Sequence, residues 1–163
     1  MGLFDKLFGN KELKTYEDSD VVAPVTGKFV RNADIPDPVF AQEMLGKTLA
    51  IKPTGYRAVA PANGTLEVLF PTGHAYAVRA ADGTGFLIHV GIDTVNLKGK
   101  GFKVLAKQGD IVKAGQPIVK IDPELIEELG YSPITMLIIS ENPAEREFNF
   151  KADSFYNEGE IIA

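Results

Sequence analysis

Two imidazoles dominate the chemistry open to this chain. His74 and His89 are its only histidines and it has no cysteine, and histidine is the side chain whose ordinary pKa lies near neutral pH. His89 stands in Gly85-Phe86-Leu87-Ile88-His89-Val90-Gly91-Ile92-Asp93-Thr94. With a period of two, Phe86, Ile88 and Val90 face one way while Leu87, His89 and Gly91 face the other. Surroundings this apolar desolvate the ring and favour the neutral imidazole that a nucleophile or a metal ligand requires. Gly91 beside it should leave room for a bulky group or an approaching partner. His74, in Pro71-Thr72-Gly73-His74-Ala75-Tyr76, opens a strand after a Pro/Gly turn. Antiparallel pairing of the two neighbouring strands would bring both rings together; without it, His89 is a hydrogen-bonded core histidine and His74 a loop histidine. For converging rings one chemistry fits. An imidazole nitrogen accepts a phosphoryl group near neutral pH and returns it readily, because the phosphoramidate is labile. A second imidazole beside it can donate a hydrogen bond to the phosphoryl oxygens. Such transfer needs positioning and electrostatics more than covalent machinery, so a small rigid sheet suffices.

Other chemistries lack their residues. Gly46-Lys47-Thr48 resembles the end of a phosphate-binding loop, but Ala41 stands where that loop needs glycine. Gly83-Thr84-Gly85 has Ile88 in place of the third glycine of a dinucleotide fingerprint and reads as a hairpin turn. No Gly-x-Ser-x-Gly elbow is present. A zinc hydrolase usually shows three protein ligands; two lone histidines fall short, although Asp37 or Asp93 could complete a site. A carrier domain would display a lysine in a Met-Lys-Met or Asp-Lys-Ala turn, and neither occurs.

The elements that must hold the histidines read as short β-runs between Gly, Pro, Asn and Asp. Strands are expected at Val21–Ala23, Lys28–Arg31, Thr48–Ile51, Ala58–Ala60, Thr65–Phe70, Ala75–Arg79, Gly85–Val90, Phe102–Leu105, Pro117–Ile121 and Ile134–Ser140, with a weaker pair near the C-terminus. Two short helices interrupt. Asp37-Pro38 opens one that Gly46 closes, and Asp122-Pro123 opens one that Gly130 closes. Val22-Ala23-Pro24-Val25-Thr26-Gly27 recurs as Val59-Ala60-Pro61-Ala62-Asn63-Gly64, a phrase similar to those of lipoyl and biotinyl carrier folds. The expected fold is all-β: an antiparallel β-sandwich/barrel-sandwich hybrid with two short helices.

Composition limits the remaining choices. The 163 residues make one domain, and 45% hydrophobic residues can bury a core. A net charge of −5 without a dense Lys/Arg cluster argues against nucleic acid, and nothing reaches the roughly 18 apolar residues of a membrane span. Residues 1–20 read as a separate N-terminal segment and polar linker, and residues 21–163 as the domain. Leu3, Phe4, Leu7 and Phe8 share one helical face, with Asp5 and Lys6 on the other. Asp5 and Lys6 also interrupt the continuous apolar stretch of a secretory signal. The segment is either a terminus frayed or docked on its own domain, or a weak interfacial membrane anchor.

The chain resembles the glucose-type enzyme IIA family of the bacterial phosphoenolpyruvate:sugar phosphotransferase system. The resemblance rests on Met1-Gly2-Leu3-Phe4-Asp5-Lys6-Leu7-Phe8, Ile35-Pro36-Asp37-Pro38-Val39-Phe40-Ala41, Thr72-Gly73-His74-Ala75 and above all Ile88-His89-Val90-Gly91-Ile92-Asp93-Thr94-Val95 followed by Leu97-Lys98-Gly99 and Gly101-Phe102. It implies that His89 accepts a phosphoryl group from the phosphocarrier HPr and passes it to a cysteine of the IIB domain of a membrane sugar permease. His74 is then the supporting imidazole, with Thr72 hydrogen-bonding near it and Asp37 and Asp93 flanking the site, where they could attract basic residues of partners. The resemblance also implies a cytoplasmic protein, no obligatory cofactor, zinc shared between His74, His89 and a partner in some members, and membrane contact through Leu3, Phe4, Leu7 and Phe8. The alternative role is regulatory: a binding protein whose phosphorylation state controls transporters, kinases or other metabolic enzymes. Gly46-Lys47-Thr48, Gly73, Asn96 and Lys100 depart from the family's usual residues, and none of them removes a group needed for transfer.

Overall fold

The alternating apolar runs fold into two antiparallel sheets. The computed structural model describes residues 14–163, so the amphipathic stretch with Leu3, Phe4, Leu7 and Phe8 lies outside the described residues. The strands are β1 (Gly27–Val30), β2 (Lys47–Pro53), β3 (Arg57–Val59), β4 (Gly64–Leu69), β5 (Ala75–Arg79), β6 (Gly85–Val90), β7 (Phe102–Val104), β8 (Ile111–Val112), β9 (Pro117–Ile121), β10 (Thr135–Glu141) and β11 (Phe155–Tyr156). Eight of them form one sheet in the order β11-β1-β2-β10-β6-β5-β4-β8, and β3-β9-β7 form the other.

The expected barrel does not form. The large sheet ends in β11 on one side and β8 on the other, two-residue strands that do not pair with each other, and among the described residues no sheet closes on itself. Closure needs a continuous register around every strand, and strands this short supply too few ladder bonds to carry it. The sheets instead face each other across one core: Leu49, Leu66, Tyr76, Phe86, Ile88 and Leu137 of the large sheet pack in a single cluster with Ala58, Ile118, Val119 and Ile121 of the small one. At the centre of the large sheet, β10 is buried on both sides. Leu137 and Ile139 join the main core, and Met136 and Ile138 join a second cluster with Ile35, Phe40, Ala50 and Ile92. Two-sided burial is why residues 136–139 read as an unbroken apolar run.

The repeated phrase has a structural meaning. Val22 N–H donates to the Pro61 carbonyl and Val59 N–H to the Pro24 carbonyl, both at 2.8 Å, so the two copies bind each other reciprocally. At the fifth position of each, Thr26 Oγ1 accepts from Glu158 N–H at 2.9 Å, and Asn63 Oδ1 accepts from Ala114 N–H at 2.8 Å. The closing glycines let strands approach: a Cβ on Gly27 would lie 2.0 Å from the Lys52 carbonyl oxygen, and one on Gly64 2.1 Å from that of Arg79. Val21–Ala23 is consequently not a strand; Val22 bonds to the repeat and makes a single bridge to Ile161, while Val21 and Ala23 bond to the C-terminal residues.

The helices are α1 (Pro38–Ala41) and α2 (Pro123–Glu128). Asp37 accepts from Val39 N–H at 2.9 Å and Asp122 from Leu125 N–H at 3.1 Å, each satisfying a donor that the first turn leaves free. The first helix is shorter than its punctuation suggests. It ends at Ala41, and a run of turns carries the chain to Gly46 and β2.

Candidate active site

β5 and β6 carry the two histidines. They pair antiparallel with Ala75 opposite His89, and Val90 N–H donates to the His74 carbonyl at 2.7 Å. The pairing brings the imidazoles together, with ring centroids 5.3 Å apart and planes at 78°. Each ring has an aromatic wall: Phe40 of α1 stands 5.0 Å from His89, and Phe70 at the end of β4 stands 5.0 Å from His74. Phe40 reaches His89 because His89 and Leu87 occupy the face of the large sheet that α1 covers. Phe86, Ile88 and Val90 point to the opposite face and the main core, as the period of two requires.

The hydrogen bonds define the rings' chemistry. His89 Nδ1 lies 2.8 Å from the Gly91 carbonyl oxygen. A carbonyl only accepts, so Nδ1 carries the proton and Nε2 keeps its lone pair. His74 Nδ1 lies 2.6 Å from Thr72 Oγ1. His74 is almost wholly buried, at 4% exposure, and His89 is half-buried. Burial, and after it the neighbouring His89, lowers the His74 pKa from its ordinary value. Burial also lowers that of His89, outweighing the opposing pull of the Gly91 carbonyl and of the Asp37 and Asp93 charges. Both rings are therefore neutral at pH 7. Asp37 caps α1 from a half-buried position, and Asp93 is exposed in a left-handed turn before the 3-10 segment Thr94–Leu97.

Gly91 does not provide the expected room. It is buried with φ +83°, and a Cβ there would lie 2.3 Å from Thr94 Cγ2 and 2.8 Å from the Ser132 carbonyl oxygen. Its glycine identity serves backbone conformation and close packing. Phe40, Phe70 and the Gly91 carbonyl were not among the residues singled out from the sequence. Phe40 alone had a local signal, an aromatic residue in the first turn after the Asp37 cap.

Apolar side chains are exposed around the site. Val39, Phe70 and Val95, on or next to the elements that carry the site, are 38%, 44% and 51% exposed. A groove of about 720 Å³ bounded by Tyr16, Arg57, Asn63, Lys113 and Glu158 holds neither histidine. Among the described residues no group of three or more His, Cys, Asp or Glu side chains could hold a metal ion, and no helix is long and apolar enough to cross a membrane.

Comparison with known proteins gives the chain its family. The family model described as phosphoenolpyruvate-dependent sugar phosphotransferase system, EIIA 1, matches residues 19–144. A glucose-specific EIIA component of the phosphotransferase system from Staphylococcus epidermidis is 44% identical over 138 residues, covering 85% of this chain and 82% of the relative. The protein of the same description from Haemophilus influenzae is 41% identical over 140 residues, covering 86% and 84%. The solved structure of glucose permease IIA from Mycoplasma capricolum superposes with a TM-score of 0.82 at 30% identity, covering 88% of this chain and 92% of that one. The paired imidazoles are thus found in a chain that belongs to the EIIA 1 family of the phosphoenolpyruvate-dependent sugar phosphotransferase system.

Proposed function

We propose that His89 is the residue on which this chain forms the transient phosphohistidine of its family, with His74 as the supporting imidazole. The observation that carries the assignment is the bond between His89 Nδ1 and the Gly91 carbonyl, which leaves Nε2 as the nucleophile. Its lone pair attacks the phosphorus of the phosphohistidine on HPr. A new P–N bond forms, the donor's P–N bond breaks, and that electron pair returns to the donor ring. Each ring keeps the proton on its other nitrogen, so no proton is exchanged with solvent. The positive charge that develops on His89 is stabilised by the Gly91 carbonyl dipole and by Asp37 and Asp93, the same influences that oppose the lowering of its pKa. With the Thr72 hydroxyl donating to His74 Nδ1, the His74 Nε2–H is free to donate to a phosphoryl oxygen. In the onward step a cysteine thiolate of a IIB domain attacks phosphorus, a P–S bond forms, and the P–N electron pair returns to His89 as neutral imidazole.

The names of the relatives support glucose as the sugar served, its recognition belonging to the permease and not to this chain. In this reading the protein works in the cytoplasm with residues 21–163 as the transfer domain, and Leu3, Phe4, Leu7 and Phe8 bring it to the inner face of the membrane as a peripheral contact. Asp37 and Asp93 offer negative charge beside the exposed apolar side chains, suited to a partner surface that is basic around an apolar centre. The two imidazoles would supply two of the four ligands of a tetrahedral zinc ion, and zinc here would take the others from a docked partner.

Incubation with phosphoenolpyruvate, enzyme I and HPr should add one acid-labile, base-stable phosphate per chain. His89→Ala should abolish that labelling, and unchanged labelling in the variant would exclude His89 as the acceptor.

A further inference from the structure

The proton position on His89 depends on the direction of one carbonyl, and a side chain outside the histidine pair packs on the residue that carries it. Gly91 lies between two peptide units that are each tied down. In the first, Gly91 N–H donates to the Ile134 carbonyl at 2.9 Å, and the Val90 carbonyl accepts from Thr94 Oγ1. In the second, Ile92 N–H donates to the Ser132 carbonyl at 3.0 Å. The carbonyl of that unit, trans to its N–H, is the Gly91 oxygen that receives the proton on His89 Nδ1 at 2.8 Å. Thr94 is fully buried, and its Cγ2 lies 2.3 Å from where a Cβ on Gly91 would be, so the methyl packs directly on the glycine while the hydroxyl holds the preceding carbonyl. Apart from the Thr94 hydroxyl and the His89 ring itself, these bonds are made by backbone.

We infer that Thr94 is a positioning residue for phosphoryl acceptance: by holding the Val90 carbonyl and packing on Gly91 it keeps the Gly91 carbonyl on His89 Nδ1, and so keeps Nε2 the nucleophile. A neutral imidazole has two tautomers. The one protonated at Nε2 presents an N–H to the phosphoryl donor in place of a lone pair, so the reactive fraction of the protein is the fraction protonated at Nδ1. Thr94 touches neither the donor nor the phosphoryl group and acts through the glycine. The inference rests on the assignment of His89 as acceptor.

The test uses the whole chain with ¹⁵N-labelled imidazoles. NMR at pH 8 reads the His89 tautomer without any phosphorylation, and single-turnover transfer from phospho-HPr reads the rate. The native protein should show only the Nδ1–H form. Thr94→Val keeps the shape and removes the hydroxyl; it should show a mixture of both forms and a rate lower on the order of tenfold, as expected when the competent tautomer falls to about a tenth, with unchanged labelling at completion. Thr94→Ser should restore tautomer and rate together. A folded Thr94→Val protein that keeps only the Nδ1–H form overturns the inference, since a purely structural threonine would alter stability and leave the tautomer alone. Should the valine variant not fold, Thr94→Ala is read for the same two quantities with the same decision. Labelling that persists in His89→Ala would instead sink the acceptor assignment and leave the tautomer comparison standing.

Discussion

Burial sets the protonation of both imidazoles, and the sign of the effect fixes a pH dependence. A histidine buried as the neutral form has its pKa lowered, as both do here. Acceptance of a phosphoryl group should therefore be flat from pH 8 down to about 6.5, the ordinary histidine value. It should fall only as pH drops through the lowered values, approaching about tenfold per unit beyond them. Single-turnover rates measured from pH 8 to pH 5 check this, and a decline beginning above pH 7 would contradict neutral rings. Stability moves in the same direction. The unfolded chain binds protons on these histidines before the folded one does, so their contribution is complete above about 6.5 and is lost as pH falls through the folded values. The meeting of the two imidazoles was legible at this scale because the period of two around His89 and the short hairpin to His74 are local properties. The Gly91 carbonyl and Thr94 were not, because their roles depend on a left-handed φ at Gly91 and on contacts with residues 132–134 that no spacing rule encodes.

The caps and the repeat carry the elements. Asp122 accepts from Leu125 N–H at the start of α2, whose Ile126 is buried. Asp122→Ala should lower stability by about 1 kcal/mol, the usual cost of losing such a cap, seen as a lower urea midpoint with an unchanged slope. Phosphoryl acceptance should not change, because α2 contributes no side chain to the two imidazoles. The strands β5, β6 and β9 lie where their alternation and bounding turns placed them. Other elements departed for physical reasons. Val21–Ala23 has strand composition but spends its hydrogen bonds on the repeat and on the C-terminal residues. The two residues of β8 are too few to produce a period, and α1 stops at Ala41 because a turn sequence takes over before Gly46. The barrel failed at this scale too: turn spacing reports how many strands there are, while closure depends on the length and register of the edge pair.

At the scale of the whole molecule, both histidines, their aromatic walls and the Gly91 clamp lie within the described residues. A chain beginning at Lys14 should accept phosphoryl groups at the full rate, while the full chain should co-sediment with vesicles of anionic lipid and the shortened chain should not. Retained sedimentation would move the membrane contact into the domain. The spacing of the imidazoles has a further consequence for traffic. With centroids 5.3 Å apart, the pair cannot be covered by two proteins at once, so under the proposed assignment the donor must leave before the acceptor arrives. The relay is a single berth used in turn, and spent carrier that lingers there competes with the permease for it. Throughput is then set by how quickly a partner lets go, and very tight docking would slow the flow of phosphate it was meant to hasten.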